Sequence, residues 1–332
     1  MKIGDLSLNL YSFGYSSGFI EDTKNKFKKI SLEELVEKSK KLHLGGIEFP
    51  FDRFFTLENL HEGIEFLNEL DKKNVNFYLD LEHFDIHYME KIIPTLSKIG
   101  ISSARIKMDQ YGKTIYGGNR YLSGSFQEAK EDFIEKLSSI SHCLKEYSFT
   151  LAIENHQDLS STELVQIIES LDTYYLGINW DIGNSISCLD TPESFYKNTK
   201  HLIKNVHLKD YQVFDSEKGI RLVRCPIGEG YVDFSEYLKL IYNNQSIKSY
   251  SIELGAQITR ECNIKNEQYW NAFKSLPVEK TIFIEYIDSI SIKNGKSLTR
   301  FEEGCRGEDL VQSENNEVFA SAKNLSRLLR KI

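Results

Sequence analysis

Short apolar runs alternate along this chain with longer amphipathic stretches, and the alternation predicts its elements. Eight runs read as strands: LSLNLY (6–11), GGIEF (45–49), NFYLDL (76–81), SARIKM (103–108), FTLAIE (149–154), LGINWD (176–181), IKNVHL (203–208) and SYSIEL (249–254). Helical stretches between them carry start and stop signals. Ser31 with Glu34, Ser125 with Glu128, Ser160 with Glu163 and Asp233 with Glu236 have the spacing of reciprocal N-terminal caps. Thr191-Pro192 pairs a cap with a proline at the first helical position, and Gly100 stands where a helix-ending glycine belongs.

Strand–helix alternation of this kind predicts an α/β fold with a parallel sheet. Eight units in about the first 275 residues predict a (β/α)8 TIM barrel. A doubly wound open sheet would carry GxGxxG after its first strand, and YSFGYSSGF does not fit it. Beyond residue 276 the pattern changes. TIFIEYIDSISIKNGKSLTRFE predicts a hairpin around Asn294-Gly295, over about 281–302, and a last helix follows over about 314–331. The expected organisation is one domain over 1–332, with the barrel over about 1–276 and a hairpin-and-helix appendage over 277–332.

Residues two apart on a strand share a face. In TLAIENH, Ala152, Glu154 and His156 oppose Leu151 and Ile153. In GINWD, Asn179 and Asp181 oppose Ile178 and Trp180; in NVHLK, Asn205, His207 and Lys209 oppose Val206 and Leu208. In SYSIE, Ser249, Ser251 and Glu253 oppose Tyr250 and Ile252. All four strands put bulky apolar groups on one face and small or polar groups on the other. Each polar row reaches a metal-capable residue at the C-terminal end, the end where such barrels build active sites. Glu154, Asp181, His207 and Glu253 are therefore expected to converge. Three carboxylates and an imidazole suit one divalent metal ion of the Mn, Mg, Zn or Co group, which would relieve their mutual repulsion. A lone buried Glu or His at a strand end is more often structural; the matching phase of four consecutive strands is what favours a ligand set.

Composition narrows the partners. The formal net charge of −8 over 332 residues gives no support for nucleic acid, whose phosphates need a concentrated basic surface. No apolar run is long enough to span a bilayer, so no membrane partner is expected. Five scattered cysteines, 143, 188, 225, 262 and 305, form no CxxC pair and read as reduced thiols in a cytoplasmic protein. A small sugar or polyol is the expected partner, and a homo-oligomer is left open.

IENH (153–156), WDIGN (180–184), VHLKD (206–210), PIGEGYVDF (226–234) and SIEL (251–254) resemble, in order, the motifs of the xylose isomerase-like barrel superfamily. That group includes sugar isomerases, epimerases and endonuclease-IV-like proteins. The resemblance implies a metal held by Glu154, Asp181, His207 and Glu253, with Glu154 and Glu253 as acid and base on opposite sides of a sugar. It implies an isomerase or epimerase working through an enediolate. A dehydratase of the inosose or dehydroshikimate type, and a barrel that binds a sugar without turning it over, are the alternatives. Two departures matter. Asn184 stands where the repair endonucleases and many epimerases carry a histidine, and YQVFDSEKGIRLVRCPIGEG (211–230) has no histidine to complete a three-zinc nuclease site.

Further candidates stand around this set. His156, Asn184, Lys209, Lys107 and Glu48 are expected substrate contacts. For His156 the alternative is a strand-end cap; for Lys209, a pair with Asp210 or Glu229. For Glu48, and for Lys107 with Arg105 and Asp109, it is a buried ion-pair network. Tyr11 is expected to wall the pocket, and His83 is ambiguous in phase. GEG (228–230) reads as a turn rather than a phosphate loop, with Glu229 near the mouth.

Overall fold

The computed structural model describes all residues except 21, 23, 24, 26, 109–114, 172, 256, 277 and 294. Among the described residues the strands are, in chain order, β1 (Ser7–Asn9), β2 (Gly46–Pro50), β3 (Asn76–Leu81), β4 (Ser103–Ile106), β5 (Thr150–Glu154) and β6 (Leu176–Asp181). They continue with β7 (Ile203–Leu208), β8 (Tyr211–Asp215), β9 (Ile220–Arg224), β10 (Ser249–Ile252), β11 (Arg260–Cys262) and β12 (Ser291–Ile292). Eight of them close a barrel in the order β1-β10-β7-β6-β5-β4-β3-β2, and the pairing is parallel throughout. The predicted TIM barrel is the fold.

Helix starts follow local chemistry. Ser31 and Ser160 each accept from the backbone of the Glu three residues on, and that Glu accepts from the cap backbone. Thr191 caps the helix that begins with Pro192. Ser125 differs, since its side chain makes no cap bond. Gly100 ends its helix at φ +85°, a conformation a side chain would resist.

The outward rows of the barrel strands, among them Leu8, Ile47, Leu79, Ile106, Ile153, Trp180, Val206 and Ile252, are fully buried in one apolar core against the helices. The lumen is different. Barrel interiors of this type are ordinarily filled by branched apolar side chains. Here Asn9, Glu48, Asp80, Arg105, Glu154, Asn179, Asp181, Asn205, His207, Ser251 and Glu253 occupy it, each at most 4% exposed. Burying so many polar groups costs stability, so the lumen marks the place where chemistry overrides packing.

A second sheet, β11-β9-β8-β12, lies outside the barrel sequence. It is built from the segment after β7, which turns back as the antiparallel pair β8–β9, and from β11 after β10. Its apolar face shares a small core with Ile186, Tyr269, Phe273, Phe283 and Ile287. The hairpin expected over 281–302 is not what forms. Lys280–Ile290 is a helix leading into the two-residue strand β12, and Asn294 lies outside the described residues. The last helix begins earlier than expected and covers Gly307–Leu329. No helix of the described residues is long and apolar enough to cross a membrane.

Candidate active site

Strand register brings the predicted ligands together. Asp181 pairs with His207, and His207 in turn with Ser251, two residues short of Glu253. Glu154 ends β5 beside Asn179. Asn155 locks the tips of β5 and β6, donating to the Asp181 carbonyl at 2.9 Å and accepting from the Asp181 N–H at 2.7 Å. Glu154, Asp181, His207 and Glu253 each offer a ligand atom within 4.8 Å of the others. All four are buried.

His207 is the hinge of the cluster. Its Nδ1 lies 2.7 Å from Glu253 Oε2 and its Nε2 lies 2.8 Å from Glu48 Oε1. Asn179 Nδ2 is 3.2 Å from Nδ1, and Asn205 bonds both Asn179 and Glu48. Glu48, Asp80 and His207 form a second, deeper acidic group sharing the same imidazole.

Two cations reach into the cluster. Lys209 binds Glu253 Oε1 at 2.5 Å and also binds Asp181. Arg105 binds Glu154 and lies 3.9 Å from Asp80. Ala152, opposite Arg105 across the β4–β5 pair, leaves room for the guanidinium inside the barrel. Lys209 therefore pairs with Asp181 and Glu253 rather than with Asp210 or Glu229. Asp210 instead accepts from the backbone N–H groups of Gly228, Gly230 and Val232 and shapes the turn that the GEG sequence predicts.

Electrostatics follow from this packing. Burial opposes the Glu253 carboxylate, but Lys209 and His207 outweigh burial and hold its pKa well below the usual range. Burial also opposes the His207 imidazolium, and here Glu48 and Glu253 win and raise its pKa. Asp181 is pushed up to about 7, by burial and by its acidic neighbours against the pull of Lys209. Burial with Glu48 beside it raises Asp80 well above the carboxylate range.

The cluster fits a divalent cation. Glu154 Oε1 and Asp181 Oδ1 are buried oxygens with no hydrogen-bond partner among the described residues, so each keeps its lone pairs for a ligand. Hard oxygen donors with one imidazole are the donor set such an ion takes.

Above the cluster opens a cavity of about 310 Å³. Glu253 lines it, as do Arg105, Lys209, His156, Asn184, Lys107 and Tyr11. Asn184 donates to Asp181 Oδ2 at 2.7 Å and accepts from Gln157 Nε2 at 2.8 Å. Gln157 Oε1 accepts from the Gly117 N–H at 3.0 Å, which links Gly117 through Asn184 to Asp181. His156 packs against the Tyr116 ring at 5.4 Å. Burial and then Lys107, Arg105 and Lys209 lower its pKa well below the usual range, so it is neutral. Glu48 sits below the cavity and is reached through His207.

Other expectations fare differently. His83 is exposed, bonded through its N–H to Asp52, and does not line the cavity. Glu229 is exposed beside Asn324 and also stays away from the cavity. Asp109 lies outside the described residues. Asp80 was readable from the alternation in NFYLDL, which places it two residues after Tyr78 on one face. Tyr116, Gln157 and Arg260, which also line the cavity, come from loops and the outer sheet and have no periodic signal.

Comparisons with known proteins agree with this architecture. The family model described as xylose isomerase-like TIM barrel matches residues 85–270, more than half of the chain. The 3-oxo-isoapionate decarboxylase of Pectobacterium atrosepticum is 22% identical over 154 residues, covering 45% of this chain. The match spans 56% of the decarboxylase, little more than half of its length. The Escherichia coli protein YihM is 20% identical over 71% of this chain and 68% of its own. Among solved structures, the probable 3-DHS dehydratase AsbF of Bacillus anthracis superposes with a TM-score of 0.55 at 16% identity, covering 76% of this chain and 92% of its own. The 3-keto-D-glucoside 4-epimerase YcjR of Escherichia coli gives 0.51 at 12% identity, covering 82% and 98%.

Proposed function

Since the chain belongs to the xylose isomerase-like TIM barrel family, we propose that it is a divalent-cation-dependent isomerase or epimerase of a small sugar, polyol or sugar phosphate. The observation that carries this reading is the convergence of Glu154, Asp181, His207 and Glu253 at the floor of a cavity that Glu253 itself lines. These four residues would hold one ion of the Mn, Mg, Zn or Co group. When bound, the ion supplies a Lewis acid that polarises a carbonyl and its neighbouring hydroxyl, which acidifies the adjacent C–H.

The remaining work belongs to the chain. Glu253 is held ionised by Lys209 and His207 and faces the cavity, so it takes the proton from carbon. Glu154, with Arg105 at its side, is the second carboxylate of the proton shuttle. Return of a proton to the opposite face of the same carbon epimerises it; return to the next carbon interconverts aldose and ketose. Lys209 and Arg105 stabilise negative charge growing on substrate oxygen. Neutral His156 and Asn184 line the cavity and would bond substrate hydroxyls. The proposed partner is a small polyhydroxylated molecule.

A lyase is the second reading, and the likeness to a decarboxylase favours it. The same proton abstraction would then end with loss of a β-hydroxyl, and cleavage of a carboxyl group would start from the same charge-stabilising site. Titration with Mn, Co, Mg and Zn, followed by a ketose panel in deuterated water, tests both. Exchange at the carbon next to the carbonyl, abolished in Glu253→Gln, supports the isomerase or epimerase. An absorbing enone supports the dehydratase. Absence of binding and of stabilisation by all four cations overturns both.

A further inference from the structure

Five cations line the cavity: Arg53, Arg105, Lys107, Lys209 and Arg260. Three of them are spent on protein carboxylates. Arg105 binds Glu154, Lys209 binds Asp181 and Glu253, and Arg53 lies 3.4 Å from Glu82. Lys107 and Arg260 remain, and neither has a carboxylate partner among the described residues. Both are half-buried rather than free in solvent.

They belong to one wall. The Arg260 guanidinium lies 3.3 Å from the centre of the Tyr116 ring, and that ring packs 5.4 Å from His156. Lys107 lines the same cavity as His156 and Tyr116. The two cations come from different layers of the fold. Lys107 follows β4 of the barrel, whereas Arg260 opens β11 of the outer sheet. That sheet thereby delivers a positive group to the cavity of a chain whose net charge is −8. A guanidinium packed against an aromatic ring is restrained by it and keeps N–H donors for an incoming oxygen.

We infer that the substrate carries an anionic group, a carboxylate or a phosphate, whose oxygens sit between Lys107 and Arg260 while its polyhydroxyl part extends toward Glu253. This inference rests on the cavity being the substrate site. The bland alternative is a pair of solvated cations with no ligand.

Calorimetric titration of the full chain, with and without Mn²⁺, separates them. The probes are D-fructose, D-fructose 6-phosphate, 2-keto-D-gluconate and inorganic phosphate. At least one anionic sugar is expected to bind about tenfold more tightly than fructose, with the preference falling as salt is raised. Lys107→Gln and Arg260→Gln are each expected to cut that preference about fivefold or more, with the Mn²⁺ titration unchanged. Whether the 6-phosphate or the keto acid is favoured identifies the group. Equal affinity for neutral and anionic sugars, an undiminished preference in both variants, or no binding of any probe at about 10 mM overturns the inference. A chain that keeps the anion preference but binds no Mn²⁺ would instead overturn the cation-dependent mechanism and leave this subsite standing.

Discussion

The His207 imidazole donates from Nε2 to Glu48 Oε1 at 2.8 Å, so a residue of β7 is fixed by a carboxylate from β2 across the closed barrel. That bond settles which ring nitrogen faces the cluster. Nδ1 is turned toward Glu253 and Glu154, at 2.7 and 4.0 Å. Carboxylates behind a ligating histidine orient the ring and raise its basicity, and their loss typically costs 10–100-fold in metal affinity. Glu48→Gln is therefore expected to weaken Mn²⁺ binding by about tenfold or more in a calorimetric titration. An affinity within about twofold of the parent would remove Glu48 from this role.

Lys209 occupies the space between two of the proposed ligands, bound to Asp181 and to Glu253. Removing its charge leaves Asp181 without its lysine partner and Glu253 with His207 as its remaining close cation. Breaking a buried pair in this way costs about 3–5 kcal/mol. Lys209→Met is expected to lower the melting temperature sharply in EDTA and to recover part of that loss in Mn²⁺, a larger gain than the parent shows. A variant whose stability ignores Mn²⁺ would argue against a cation taking over the charge balance there.

These charge relations mark where the sequence stops being readable. Strands β3, β6 and β7 match the runs NFYLDL, LGINWD and IKNVHL residue for residue, because a buried strand with one polar face has a period of two. The convergence of Glu154, Asp181, His207 and Glu253 was legible for the same reason. The pairing of Lys209 with Asp181 and of Arg105 with Glu154 was not, because it depends on how strands lie next to each other after closure. TIFIEYIDSI misleads through its β-branched and aromatic content. Its buried residues are Phe283 and Ile287, four apart, so the run forms a helix with one apolar stripe against the small core. The β8–β9 pair escaped because a charged turn, SEKG, interrupts two short alternating runs.

Asp158, which is not one of the four proposed ligands, offers a pH test. Its Oδ1 accepts from the Leu159 N–H at 2.7 Å, while its Oδ2 is buried without a partner among the described residues. Burial pushes its pKa up to about 7. Folding therefore favours the protonated acid. The stabilising contribution is complete below the unfolded value of about 3.9 and is lost as pH rises through about 7. Asp158→Asn keeps the acceptor and does not ionise, so it is expected to match the parent near pH 4 and exceed it by on the order of 3 kcal/mol near pH 8. Denaturant unfolding at the two pH values measures the difference; a gap that does not change with pH would show that Asp158 is ionised throughout.

The mouth of the cavity is held from the far end of the chain. Glu314, fully buried in the helix Gly307–Leu329, accepts from the Tyr15 N–H at 2.8 Å, the Ser16 N–H at 2.9 Å and Gln257 Nε2 at 3.0 Å. These donors, together with the Ser16 hydroxyl, sit in the loops after β1 and β10, whose Gly14 and Gly255 line the cavity. One carboxylate thus satisfies buried backbone donors in the first loop and a buried side-chain amide in the second. Glu314→Ala strands those donors, at a cost of about 1–3 kcal/mol for each unsatisfied group. Glu314→Gln keeps one acceptor and is expected to lose about half as much. Both variants are expected to weaken sugar binding more than Mn²⁺ binding, since Tyr15, Ser16 and Gln257 are not among the four proposed ligands. Parallel titrations with sugar and with Mn²⁺ read the two effects separately. An equal loss in both would mean that Glu314 supports the barrel as a whole rather than the mouth of the cavity.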